Sequence, residues 1–279
     1  MSDNRDEAVI EGFGDEWSRF TQSTLSYSER QRVFDQYFNI FPWRVIDSHS
    51  RGADFGCGSG RWACVVAPRV GHLVCLDPSP DALKVAKENL TADTNVEFIL
   101  GDVQSNPIPN DSLDFGYSLG VLHHVPDTQD ALRSCVMRLK EGAPFLLYLY
   151  YAFDNRPFWF RGLWRFSDWM RRFVSRMPYQ LRYAVSQFIA FLVYWPLARF
   201  AKLVESTGPN ASSLPLFFYR DRSFYVMRTD ALDRFGTRLE QRFTRQQIRA
   251  MMELAGLEKV TFSEQEPYWC AVGYKTAKT

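Results

Sequence analysis

Cysteine is scarce in this chain, and its placement is uninformative for bonding. Cys57, Cys64, Cys75, Cys135 and Cys270 are odd in number and form no C-x-x-C pair, which excludes a zinc ribbon and a disulfide framework. His, Cys and Asp nowhere cluster at metal-ligand spacing, so no metal is expected. Net charge is nearly absent as well. A value of +1 over 279 residues excludes a globally basic nucleic-acid binder, although it leaves local patches open. No internal repeat and no extended low-complexity segment is present. The opening MSDNRDEAVIEGFGDEW is acidic and lacks an apolar centre, so no signal peptide is read there. A cytoplasmic location with reduced thiols is the resulting expectation. The uncharged stretch YAVSQFIAFLVYWPLA (183–198) is interrupted by Ser186, Gln187 and Pro196, and reads as too short to span a bilayer.

What the chain does contain is apolar and aromatic. Hydrophobic residues make up 46% and aromatics 16%, including 23 Phe and 8 Trp. That composition supports a full core, in one large domain with an elaborated cap or in two modest ones.

The pattern divides the chain into four parts. Residues 1–50 read as a polar tail and amphipathic helical material, with Phe34, Tyr37, Phe38 and Phe41 at helical spacing and Pro42 closing it. Residues 51–151 alternate short apolar runs (GADF, HLVCLD, VEFILGD, LDFGYSL, PFLLYLYY) with helix-like stretches. This alternation predicts an α/β fold with a doubly wound, mostly parallel sheet. Residues 152–222 break the rhythm and read as a helical insert. It resumes over 223–279 with the helix RQQIRAMMELAG and the strands LEKVTFS and YWCAVGYK, which bring the strand count to seven.

The strongest local signal is DFGCGSG (54–60) directly after a predicted strand. Glycines at 56, 58 and 60 let the backbone turn sharply and let a ligand approach without meeting a Cβ. A helix following the loop would offer free N–H groups to an anionic group such as a carboxylate. A nicotinamide-type fingerprint would want glycine at 61, where Arg61 stands, so the loop leans away from a dinucleotide. Asp77 ends the second strand, where a carboxylate can accept both hydroxyls of a ribose. Asp102 ends the third, where it could accept from an adenine amino group. Each alone could be an ordinary polar strand end; their order after the loop carries the weight.

DFGCGSG, CLDPS, GDV, SLGVLHHVPD (118–127) and LKEGAPFLLYLY (139–150) resemble the successive motifs of class I S-adenosylmethionine-dependent methyltransferases. The likeness is to the type 11 subgroup, with a long helical insert after strand five. It covers about 50–150 and resumes over 244–275. It implies a seven-stranded Rossmann-like sheet and S-adenosylmethionine as cofactor. The implied cofactor contacts are Asp54, Gly56, Gly58 and Gly60, then Asp77, then Asp102 with Val103, and Ser118 with Leu119 and Gly120 under the methyl group. The usual Lys-Pro-Gly-Gly turn is Lys140-Glu-Gly-Ala here, a change in a turn. The segment from Phe13 to Phe20 resembles one that can fold over the cofactor in such proteins, which makes Trp17 a lid candidate. Packing of Phe13, Trp17 and Phe20 on the core is the alternative.

A sulfonium methyl is already activated, so positioning governs its transfer. A general base is needed where the acceptor is protonated at neutral pH. His123, then His124, are the first candidates, because histidine titrates near neutrality; packing and loop orientation are their other reading. Asp230 and Asp233 are second candidates, with solvated helix charges as the alternative. Nothing near Cys57 suggests an activated thiolate.

From Arg156 to Val204 there are nine Arg or Lys and one acid, Asp168, with seven aromatics interleaved among the first arginines. Two readings stand: an interfacial surface for an anionic membrane through 156–204, at the inner face of a membrane, or a cap whose aromatics pack inward. Nucleic acid could also use such interleaving, but the apolar run that follows fits it poorly. The function expected is methyl transfer to an oxygen or nitrogen of a bulky, partly apolar or lipid- or sugar-linked small-molecule acceptor. Two rivals remain: a membrane-surface or partner-binding protein that keeps the cofactor fold without turnover, and a nicotinamide oxidoreductase.

Overall fold

The computed structural model describes residues 4, 6–19, 27–208 and 214–277. The chain forms two compact units, Met1–Ala152 with Leu239–Thr279, and Phe153–Arg238. Of the segment likened to a cofactor lid, Phe20 lies outside the described residues.

In the first unit seven strands form one sheet: β1 (Arg51–Phe55), β2 (His72–Asp77), β3 (Val96–Leu100), β4 (Phe115–Leu119), β5 (Pro144–Tyr148), β6 (Leu257–Phe262) and β7 (Cys270–Lys275). Their order is β3-β2-β1-β4-β5-β7-β6, parallel except for β7, which is antiparallel to both neighbours. The central strands read as unbroken apolar runs because both faces are covered. Every residue of β4 is buried, and so is all of β1 beyond Arg51. The order reverses between β1 and β4, and that switch point opens a crevice at the strands' C-terminal ends.

Helices α1 (Glu7–Arg19), α2 (Tyr27–Tyr37), α3 (Ala63–Val66), α4 (Pro80–Asn89) and α5 (Thr128–Met137) belong to this unit, as does α10 (Arg245–Leu254). Phe34, Phe38 and Phe41 are buried in the apolar cluster that includes Leu73 and Phe115 of the sheet. The helix after the glycine loop is shorter than the loop pattern suggests. Four α-helical residues pass into a 3-10 turn, Ala67–Arg69, because Pro68 has no N–H to continue the ladder.

The second unit contains α6 (Phe158–Val174), α7 (Tyr179–Ile189), α8 (Trp195–Ser206) and α9 (Phe224–Gly236). It ends at Arg238 rather than at 222, because α9 packs into the same small core through Met227, Ala231 and Phe235. A second difference concerns 183–198. α7 and α8 are joined by a π-helical segment, Ala190–Tyr194, into one helix, Tyr179–Ser206, of 28 residues. The widened turn accommodates Pro196, which would otherwise clash with the preceding turn and break the helix. By length and composition alone that helix could cross a membrane, so the stretch is not too short.

Candidate active site

Loops after β1, β2, β3 and β4 meet at one cleft, with about 1070 Å³ of free space including its mouth. Its floor is the glycine loop. Gly56 and Cys57 donate their N–H groups to Leu76 O at 2.8 and 3.0 Å, which locks the turn against β2. Gly56 has φ +84°, and a Cβ there would lie 2.4 Å from the Val121 side chain, so no other residue fits. Gly58 has φ +53°, and a Cβ there would lie 3.0 Å from the Trp17 indole.

Asp77 stands at the end of β2, buried, and accepts from Gly58 N at 2.8 Å and Ser79 N at 2.9 Å. Ser79 in turn caps α4, its hydroxyl accepting from Ala82 N. Burial raises the Asp77 carboxyl to about 6, against the pull of those two amides. Asp54 lies beneath the loop, fully buried, with neither oxygen in a well-aligned hydrogen bond. Burial pushes it to about 8; the nearby Tyr117 hydroxyl opposes the rise and the Asp77 charge adds to it. At neutral pH the pair therefore holds one proton on Asp54 and one charge on Asp77. Asp102 accepts from the amides of Gln104 and Ser105 at 2.8 and 2.6 Å, which aims the loop after β3.

Helix α1 lies along the cleft. Asp6, Val9, Ile10, Phe13 and Trp17, one helical face, all line it. Asn4 pins its start through a reciprocal pair with Asp127, at 2.9 and 2.6 Å. Gly14 lets α1 come close to α4, since a Cβ there would lie 2.9 Å from the Ser79 hydroxyl.

His123 and His124 occupy a 3-10 turn, Leu122–His124, and successive residues there point about 120° apart. His124 lines the cleft, with its ring 5.0 Å from that of Phe13. Its Nδ1 is 2.7 Å from Leu239 O and donates to it, so Nε2 carries the lone pair. His123 does not line the cleft. It is fully buried against Tyr150, with ring centroids 3.9 Å apart and both nitrogens without a hydrogen bond. Burial holds it well below its ordinary value, helped by His124 and Arg242, so it is neutral. The order of the two histidines is thus reversed from the sequence expectation.

Other expected contacts also move. Gly56, Gly58, Asp77, Asp102, Val103, Leu119, Gly120 and Trp17 line the cleft; Asp54, Gly60 and Ser118 do not. Gly60 turns the loop, with φ +74°. The Ser118 hydroxyl donates to Phe55 O at 2.8 Å and ties β4 to β1. Asp230 and Asp233 belong to α9 of the second unit and are not among the lining residues. Arg61, Trp62, Ser79 and Gln104 line the cleft without having been expected as contacts. Val9 and Ile10 could have been found from their spacing with Phe13 and Trp17. Arg61 carried no local signal beyond its place after the loop. The Cys57 thiol, contacted by Cys75 and buried, is pushed well above its ordinary value and stays protonated. Among the described residues no three His, Cys, Asp or Glu converge on a metal position.

Residues 53–147 match the family model described as a methyltransferase domain. That match supports a methyltransferase-type core over these residues. A domain of that kind implies S-adenosylmethionine as cofactor. The cleft's lining fits that group: a glycine cradle that a Cβ would fill, a carboxylate at the end of β2 that could accept from ribose hydroxyls, and Asp102, in the loop beyond β3 rather than at the strand end, that could accept from an adenine amino group. A demethylmenaquinone methyltransferase of Listeria monocytogenes serotype 4a (strain HCC23) is 38% identical over 32% of this chain and 40% of its own length. The uncharacterised methyltransferase YcgJ of Bacillus subtilis strain 168 is 32% identical over 37% of this chain and 41% of its own. The chain thus spans about two fifths of the length of these relatives. Two solved structures share the fold. The S-adenosylmethionine-dependent methyltransferase SibL has a TM-score of 0.52 at 13% identity, covering 88% of this chain and 55% of its own. A Bordetella parapertussis protein has 0.51 at 15% identity, covering 91% and 69%. The family match to the methyltransferase core ends at 147, before the second unit begins.

Proposed function

We infer that the protein transfers a methyl group from S-adenosylmethionine to an oxygen or nitrogen of a bulky, partly apolar small molecule, lipid- or sugar-linked. The observation that carries the acceptor chemistry is His124: a cleft-lining histidine whose Nδ1–H is held by Leu239 O, which fixes its ring orientation and tautomer. Such a base has work to do where the acceptor is a hydroxyl or a protonated amine. The aromatic and aliphatic wall from Val9, Ile10, Phe13, Leu122 and Val125 supports an apolar acceptor body.

Bound in the cleft, the cofactor supplies a methyl on a sulfonium, an electrophile that needs no further activation. The chain's own residues supply placement. The glycine loop brings backbone within reach, Asp77 accepts from hydroxyls while its own amide donors hold it still, and Trp17 with Phe13 covers the cleft against water.

Calorimetry should show S-adenosylhomocysteine binding, weakened by roughly 1.5–3 kcal/mol in Asp77→Ala, as for loss of a charge-assisted hydrogen bond. Labelled methyl should pass into an organic-extractable acceptor from cell extract. His124→Gln should lower that turnover about 10²–10⁴-fold with S-adenosylhomocysteine affinity kept, and His123→Gln much less. A product methylated on carbon would overturn the oxygen or nitrogen reading. Binding of NADH but not S-adenosylhomocysteine would overturn the whole.

A further inference from the structure

A surface helix of a soluble protein ordinarily turns its apolar stripe inward. α6 does the reverse. At about 100° per residue, Phe158, Trp159, Leu163, Phe166, Trp169 and Phe173 share one arc of about 140°, and all six are exposed, Phe158 by 81% and Trp169 by 68%. Facing inward are Asp168, Arg171 and Val174. Arg171 donates to Asp168 at 2.8 Å and to the carbonyls of Thr237 and Arg238 at 2.9 and 3.1 Å. It is therefore structural, and not one of the arginines available to a ligand. Next to the aromatic arc, Arg161, Arg165 and Arg172 form a basic one.

The joined helix Tyr179–Ser206 repeats the inversion. Its small and polar residues Ser186, Ala190, Ala198 and Ala201 are buried, while Phe188, Leu192 and Leu203 face out. Only a third of its apolar window is buried, at a mean hydropathy of 1.3. Among the described residues, nineteen large apolar side chains stand exposed, and all but Val45, Leu100, Met137 and Leu254 belong to the second unit. A monomer in water rarely exposes contiguous apolar surface on this scale.

We propose that the second unit docks on an anionic bilayer, laying the aromatic arc of α6 and the outward face of α7–α8 into the headgroup region, with Arg161, Arg165 and Arg176 on lipid phosphates. Charge selects this occupant. Those three arginines are exposed and have no side-chain partner among the described residues. The only acid on α6, Asp168, is buried against Arg171 and Arg172. A second copy meeting this face would bring arginines together with no exposed acid on α6 to match them. Tryptophans with arginines beside them suit the boundary between headgroup and hydrocarbon. The joined helix lies along the membrane rather than across it, because its inner side is packed on α9. Arg228 of α9 donates to Tyr183 Oη at 2.9 Å, and Arg182 to Gly236 O at 3.0 Å. Insertion across the bilayer would take Arg228, Asp230, Asp233 and Arg234 into hydrocarbon with it, at a large cost.

The proposal does not depend on the methyl-transfer reading. The full chain is floated with vesicles of equal phosphatidylglycerol and phosphatidylcholine, and with phosphatidylcholine alone, in low and high salt. Binding should be strong to the anionic vesicles, fall with salt and be weak to the neutral ones. Arg161→Gln with Arg165→Gln and Arg176→Gln should lower the anionic partition about a hundredfold. Trp169→Ala with Phe173→Ala should lower partition to both vesicle types. All five side chains are exposed, and unchanged circular dichroism with an unchanged melting temperature verifies that each variant is folded. Three outcomes overturn the proposal: no flotation of the wild type with either vesicle; a dimer in sedimentation that Trp169→Ala with Phe173→Ala dissociates, without vesicle binding; or extraction that requires detergent, which would mean the helix crosses.

Discussion

Phe145 and Phe173 are the same side chain in opposite settings. Phe145 sits in the middle of β5 with 0% exposure, within 6.1 Å of the Phe55 ring. Phe173 ends the outward arc of α6 with 67% exposure. Burying a phenylalanine contributes about 1.5–3 kcal/mol, so the first position stabilises its unit and the second contributes almost nothing in water. Buried charge differs as well. The second unit buries Asp168 against Arg171 and Arg172 at 2.8 and 2.9 Å. The first unit buries Asp54 and Asp77 side by side, neither with a cation, and both are shifted upward. Unpaired buried carboxylates mark a site; paired ones mark a scaffold. The core unit thus spends its strain at the cleft, and the helical unit exposes its apolar surface instead.

The contrast is most exposed to a pair of substitutions. Phe145→Ala should cost about 3–5 kcal/mol in urea unfolding, while Phe173→Ala should stay within about 0.5 kcal/mol. An equal loss at Phe173 would mean that its face is covered in solution. Stability against pH tests the buried carboxylates next. Asp54 keeps its proton in the folded chain up to about pH 8, whereas the unfolded chain releases it near 3.8. The folded state is therefore favoured most at low pH, and stability drains away between those values as pH rises. Asp54→Asn removes this slope. Its advantage over the wild type in melting experiments should grow from about pH 4 to 8, reaching a few kcal/mol, and then level off. A parallel pair of curves would show that Asp54 is not the titrating group. The smallest effect is at Asp77, at about 6 in the free protein. A ligand donating hydroxyls prefers the ionised form, so S-adenosylhomocysteine affinity should rise about tenfold from pH 5 to 7 and then flatten. In Asp77→Asn the affinity should not vary over that range.

Much of the core was legible because its determinants are local. A β-run followed by glycines at 56, 58 and 60 can only turn one way, with φ near +84°, +53° and +74°. Asp77 follows from ending its strand, whereas Asp102, expected at the end of β3, lies in the loop beyond it, and the alternation of strand and helix carries the sheet. Boundaries were less legible. The second unit reaches Arg238 because α9 contributes Met227 and Phe235 to a distant partner helix's core, which no window of sequence displays.

Residue order alone therefore determined the sheet, the glycine loop and the carboxylates around it, since turn chemistry and hydrophobic period act over a few neighbours. Tertiary structure decided between adjacent twins. His124 lines the cleft and His123 does not; Arg172 is exposed and Arg171 lies inside on Asp168. It also decided the sense of α6. Periodicity shows that a helix has an aromatic side and a polar side, but only packing settles which one turns inward. In α6 the buried Asp168–Arg171 pair holds the polar side against the unit, so the aromatic side is left facing out.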